Sequence, residues 1–117
     1  SEALRIYDSI YDQFQNHSLN DDILFRKSQV FKILQMQDKA IDVLKQLEEE
    51  FPGSIILDKA LFNIAKLYED DLTDFESAKK YYRKILFDHP SSLYVIDARK
   101  RFRKLSGKTN QNINKSS

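Results

Sequence analysis

The chain has 117 residues, 41% of them hydrophobic and 32% charged, which is enough apolar content for a core and too little length for more than one domain. Nineteen Lys and Arg against eighteen Asp and Glu leave a net charge of +1, excluding a protein that seeks polyanions over its whole surface. The absence of cysteine, the presence of only two glycines and the lack of any apolar run near ~18 residues exclude disulfides, thiolate metal sites, glycine-rich phosphate loops and a membrane-spanning helix.

Taken in chain order, apolar spacing predicts helices over 2–16, 20–35, 37–51, 55–70, 74–88 and 92–105. The first, third and fifth share one phase. Ala3, Ala40 and Ala78 lie 37 and 38 residues apart, and each is followed four and seven residues later by an apolar pair: Tyr7 and Ile10, Leu44 and Leu47, Tyr82 and Ile85. These offsets draw a single stripe along a helix face. Phe14, Phe51 and His89 end the three segments, and Pro52 and Pro90 follow the last two, where a proline stops a helix. The second, fourth and sixth helices share another phase. DILFRKSQVF (22–31) aligns with KALFNIAKLY (59–68), each with a Leu-Phe pair, a small residue (Ser28, Ala65) and an aromatic (Phe31, Tyr68), and DARKRFRKL (97–105) is a weaker third copy. Ser54, Asp74 and Ser92 are the expected helix N-caps. The segment 106–117, SGKTNQNINKSS, is polar and aperiodic and reads as a disordered tail.

A two-helix period with small residues at fixed sites and a closing proline resembles the tetratricopeptide repeat. One unit runs from about 21 to 54, with Leu24, Ser28, Phe31, Ala40, Leu44, Leu47 and Pro52 on the family's positions. The next runs from about 58 to 92 and matches at Leu61, Ile64, Ala65 and Tyr68, then, after one inserted residue in the turn EDDLTD, at Ala78, Tyr82, Ile85 and Pro90. Segments 1–17 and 93–105 match by phase as flanking half-repeats, making 1–105 one helical repeat domain. The expected fold is an all-α, right-handed α-solenoid of about six antiparallel helices. The first helix has second-helix phase and should expose an apolar flank at Leu4, Tyr7 and Phe14, pointing to a C-terminal segment of a longer protein and to self-association through that helix. Arg103 stands where Ser28 and Ala65 stand, so the last helix reads as a cap. The joints around Pro52-Gly-Ser54 and Pro90-Ser-Ser92 are also similar to those of bacterial cell-envelope tetratricopeptide proteins, such as the outer-membrane assembly lipoprotein and the Tol–Pal coordinator. This favours the periplasm or envelope over the cytoplasm.

The resemblance implies a non-catalytic scaffold that binds a peptide or protein along the wall of first-type helices. By phase that wall comprises Asp22, Phe25, Arg26, Gln29 and Lys32, then Lys59, Phe62, Asn63, Lys66 and Glu69, then Asp97 and Arg101. Family members that clamp a C-terminal carboxylate use Lys and Asn in their first unit, but here Phe25 and Gln29 hold those positions, and only Asn63 and Arg101 match later ones. No such clamp is expected. Phe25 and Phe62 are either an aromatic ladder for a bound segment or packing between first-type helices.

The other candidates carry less. Arg99, Lys100, Arg101, Arg103 and Lys104 form a basic cluster, and residues 95–117 hold seven basic residues against one acid. Without interleaved aromatics, a solvated end cap is a simpler reading than a nucleic-acid or anionic surface. Glu48-Glu49-Glu50 and Glu69-Asp70-Asp71 with Asp74 read as solvated helix ends, lacking the turn glycine of a calcium loop. His17 and His89 are 72 residues apart with no third ligand at helical spacing. No catalytic triad, cofactor, metal or small-molecule substrate is expected, and the remaining alternative to partner binding is a purely architectural or oligomerisation segment.

Overall fold

The computed structural model describes residues 1–13 and 20–115, with side chains described at 1–11 and 20–107. Phe14 and His17 lie outside the described residues. Among those described there are helices and no strands: α1 (Glu2–Gln13), α2 (Asn20–Ile33), α3 (Gln37–Glu50), α4 (Leu57–Lys66), α5 (Phe75–Asp88) and α6 (Val95–Lys115). None of them is long and apolar enough to cross a membrane. The all-α repeat architecture read from the periodicity is present. The chain divides into two compact units, Ser1–Ala60 and Leu61–Ser117, as a solenoid can, because each of its hairpins packs only on its neighbours.

In the first unit α1 packs on α2 and α2 on α3. Leu24, Ser28, Ala40, Leu44 and Leu47 are almost completely buried, so the stripe at offsets of three and four faces inward. Ser28 is tolerated there because its hydroxyl donates 2.5 Å to the Phe25 carbonyl, leaving no polar hydrogen unpaired. α2 ends in a left-handed residue, Gln35 (φ 59°), with Met36 N–H bonded to the Phe31 carbonyl and Gln35 N–H to that of Lys32. This is a Schellman closure without the usual glycine. Along α1, Ala3, Leu4, Tyr7 and Ile10 are half-buried, and Ile6 is 49% exposed. Lys27 Nζ pairs with Asp8 at 2.5 Å, and the Tyr11 hydroxyl donates to Glu50.

In the second unit α5 packs on α6. Ala65, Ala78, Ala98, Tyr82, Ile85 and Leu105 are fully buried. Asp74 caps α5, its carboxylate accepting from the Ser77 amide at 3.2 Å and the Ser77 hydroxyl at 2.7 Å. Asp74→Ala should therefore lower stability by about 1 kcal/mol, which urea titration would measure. Ser54 and Ser92 act one turn earlier than expected. Their hydroxyls accept the amides of Ile56 (3.1 Å) and Tyr94 (3.0 Å), closing a turn that feeds helices beginning at Leu57 and Val95.

α6 is wound from Val95 as far as Lys115, past the 92–105 expected for the last helix. No proline interrupts it, and the lone Gly107 costs only about 1 kcal/mol against alanine. The end of the fourth helix is wound as a π-turn over Leu67–Asp71, with Leu72 N–H bonded to the Leu67 carbonyl at 3.1 Å. A π-turn absorbs one extra residue without breaking the helix. It takes up the residue that lengthens the second period from 37 to 38.

Candidate functional site: the first-type helices and a charged cleft

The first unit's share of the wall lies on α2. Arg26, Gln29 and Lys32 face solvent, and Arg26 Nε donates 2.8 Å to Asp22 one turn earlier. An exposed pair of this kind contributes little stability. Phe25 is buried, and its ring lies 4.3 Å beneath Lys59 Nζ. That cation sits over the ring face, where its attraction to the aromatic quadrupole is strongest.

The second unit treats its equivalent phenylalanine in the same way. Phe62 is buried, stacked on Tyr94 with ring centroids 4.8 Å apart and edge-on to Tyr82 at 5.8 Å. Neither Phe25 nor Phe62 offers its ring to solvent, because each ring's apolar area is already covered. Asn63 and Lys66, next along α4, are partly exposed.

Below them the π-turn carries the most consequential polar group. Glu69 is 8% exposed, and its Oε1 accepts from the Tyr82 hydroxyl at 2.7 Å and from Arg101 NH1 at 3.0 Å. Arg101 NH1 also lies 3.8 Å from Asp70. Burial, and then the bond to Glu69, push the Tyr82 hydroxyl well above the ordinary tyrosine range, so it stays a donor. Glu69 thus departs from the expected solvated helix end. A carboxylate can be buried here because two donors from α5 and α6 converge on it. Asp70 and Asp71 do face solvent.

Beside this triad opens a cleft of about 340 Å³ lined by Glu69, Asp70, Asp97, Lys100, Arg101 and Lys104. The basic cluster is therefore split. Lys100 and Lys104 border the cleft together with acids, whereas Arg99 and Arg103 are exposed and do not line it. Arg101, placed on the wall by phase, is engaged by Glu69 and partly exposed at the cleft. Leu105 is buried and Phe102 half-buried, with the Arg83 guanidinium 5.3 Å from the Phe102 ring. Sequence reasoning missed the Glu69–Tyr82 pairing. Its only signal was the inserted residue beside EDD, which marks a local change of helix winding.

Among the described residues no group of three His, Cys, Asp or Glu side chains converges as metal ligands would. No curated protein matches the chain. The tetratricopeptide repeat profile matches residues 22–54 and 59–92, more than half of the sequence and nearly the two units that the alanine and proline spacing delimits. With its paired helices, buried small residues and this match, the chain belongs to the tetratricopeptide repeat family.

Proposed function

We propose that this chain is a non-catalytic scaffold that holds a protein or peptide partner on its first-type helices. Tetratricopeptide repeats generally mediate protein–protein interaction, and the family is a non-catalytic interaction repeat. The observation that carries the reading here is the cleft on the second unit. Its floor is held by the Glu69–Arg101 pair, while Lys100, Lys104 and Asp97 remain exposed around it. Prearranged charges of both signs at an open cleft select a partner by electrostatic complementarity more than by apolar area. On the first unit the solvent-facing Arg26, Gln29 and Lys32 offer a second polar surface of the same helix type. Cell-envelope placement in a bacterium is part of the proposal. It is supported by the likeness of the joints around Pro52-Gly-Ser54 and Pro90-Ser-Ser92 to those of that subfamily.

Selection of binders from a random displayed peptide library provides the test. Peptides enriched on the intact chain should carry charged residues and lose roughly tenfold in affinity for the Lys100→Glu, Lys104→Glu double variant, since a rim pair of this kind contributes on the order of 1 kcal/mol per charge. Binders indifferent both to that variant and to Arg26→Glu with Lys32→Glu would contradict the proposed surface.

A further inference from the structure

The two proline–serine joints occupy equivalent places one repeat apart, yet they differ sharply in chemistry. Ile55 and Leu93, each following the capping serine, are both 93% exposed. Around Ile55 the first joint is acidic, with Glu49 and Asp58 at the positions equivalent to Phe87 and Ile96 in the second. In the second joint Phe87 is 76% and Ile96 64% exposed, so three large apolar side chains stand out together at the α5–α6 turn. Their neighbours are basic. Arg83 lies one turn before Phe87 on α5, Arg99 and Lys100 lie one turn after Ile96 on α6, and Arg103 follows a turn later. Residues 83–104 hold seven Lys and Arg against two acids, Asp88 and Asp97, whereas the equivalent 45–66 hold three against four.

We infer that the α5–α6 joint is a docking surface for an anionic lipid bilayer. Three features of the joint distinguish this occupant from others. The apolar side chains are exposed at a turn, free to enter the headgroup–acyl boundary as the apolar face of an interfacial segment does. Two of the three are aliphatic, whereas single-stranded nucleic acids are held chiefly by bases stacking on aromatic faces. The ring of cations behind them matches the negative potential of acidic headgroups, to which each Lys or Arg near the surface adds attraction. Among the described residues no helix is long and apolar enough to cross a membrane; the joint would lie on the surface, with Leu93 and its two neighbours inserted among the headgroups and Arg99 and Arg103 over the phosphates.

Co-sedimentation of the whole chain with phosphatidylcholine–phosphatidylserine vesicles, against phosphatidylcholine alone, tests this. Binding is expected to the mixed vesicles only. It should fall by roughly tenfold or more for Leu93→Ser with Ile96→Ser, and by a similar factor for Arg99→Glu with Arg103→Glu. Ile55→Ser, the same position in the acidic joint, should bind as the parent does. All of these sites are exposed, so unchanged helical circular dichroism should accompany every variant. No binding to mixed vesicles would overturn the inference. So would binding that survives the apolar double substitution, or an acidic peptide or second copy of the chain captured by this joint while vesicles are not.

Discussion

Ala65→Arg is expected to be the most damaging single substitution in the chain, lowering stability by roughly 3–5 kcal/mol. Ala65 has no exposed surface. The new side chain must either displace its neighbours or leave a guanidinium without water. Against a total of about 5–15 kcal/mol for an ordinary domain, most of the molecule's margin would be gone. The third copy of the repeat supplies the control: Arg103 stands at the equivalent position and is exposed, so Arg103→Ala should change stability by less than about 0.5 kcal/mol. Thermal unfolding followed by circular dichroism reads both, and an unchanged midpoint for Ala65→Arg would remove the repeat register on which the fold description rests.

The second large effect is expected at the buried carboxylate. Arg101→Met leaves Glu69 with one donor, Tyr82, and should cost roughly 2 kcal/mol. Glu69→Leu in the same background removes the stranded charge. The double variant should therefore recover part of the loss, an asymmetry that a simple sum of contacts would not produce. Tyr82 adds a pH signature. Its raised pKa stabilises the fold fully below the unfolded tyrosine value of about 10, and that contribution is lost as pH rises beyond it, because the unfolded chain then ionises more readily than the folded one. Tyr82→Phe should weaken the alkaline sensitivity while costing roughly 1–2 kcal/mol at neutral pH. Urea titrations at neutral and alkaline pH check both parts. Equal stability for Arg101→Met and the parent would show that Glu69 does not depend on its partner.

These two sites also mark where the sequence was legible and where it was not. Ala40 and Ala78 recur at one phase and Ser28 and Ala65 at the other, and all four are buried, because close helix approach needs a small side chain. Asp74 could be read as a cap from its position alone, since capping is a local matter of three residues. Glu69 could not be read in this way. In a run of acids at a helix end, solvent is the default for each carboxylate. Only partners 13 and 32 residues further along the chain, Tyr82 and Arg101, turn one of them inward. Phe25 and Phe62 show the same limit from the other side. Helical phase placed both on the wall, but whether a ring on that face meets solvent depends on what covers it: Lys59 over one and Tyr94 against the other. The joint at Leu93 lies between these cases, because its apolar and basic residues are plain in the sequence and only their exposure needed the structure.

Whether partners are held by the first-type helices is read most directly by titrating the isotopically labelled chain with a library-selected peptide and following amide chemical shifts. Perturbations are expected at Arg26, Gln29 and Lys32 on α2, or at Lys66 on α4 and at Lys100, Arg101 and Lys104 around the cleft, with Glu76, Lys80 and Arg83 on the exposed face of α5 silent. Shifts confined to that face of α5, with both first-type surfaces unchanged, would contradict binding on the first-type helices.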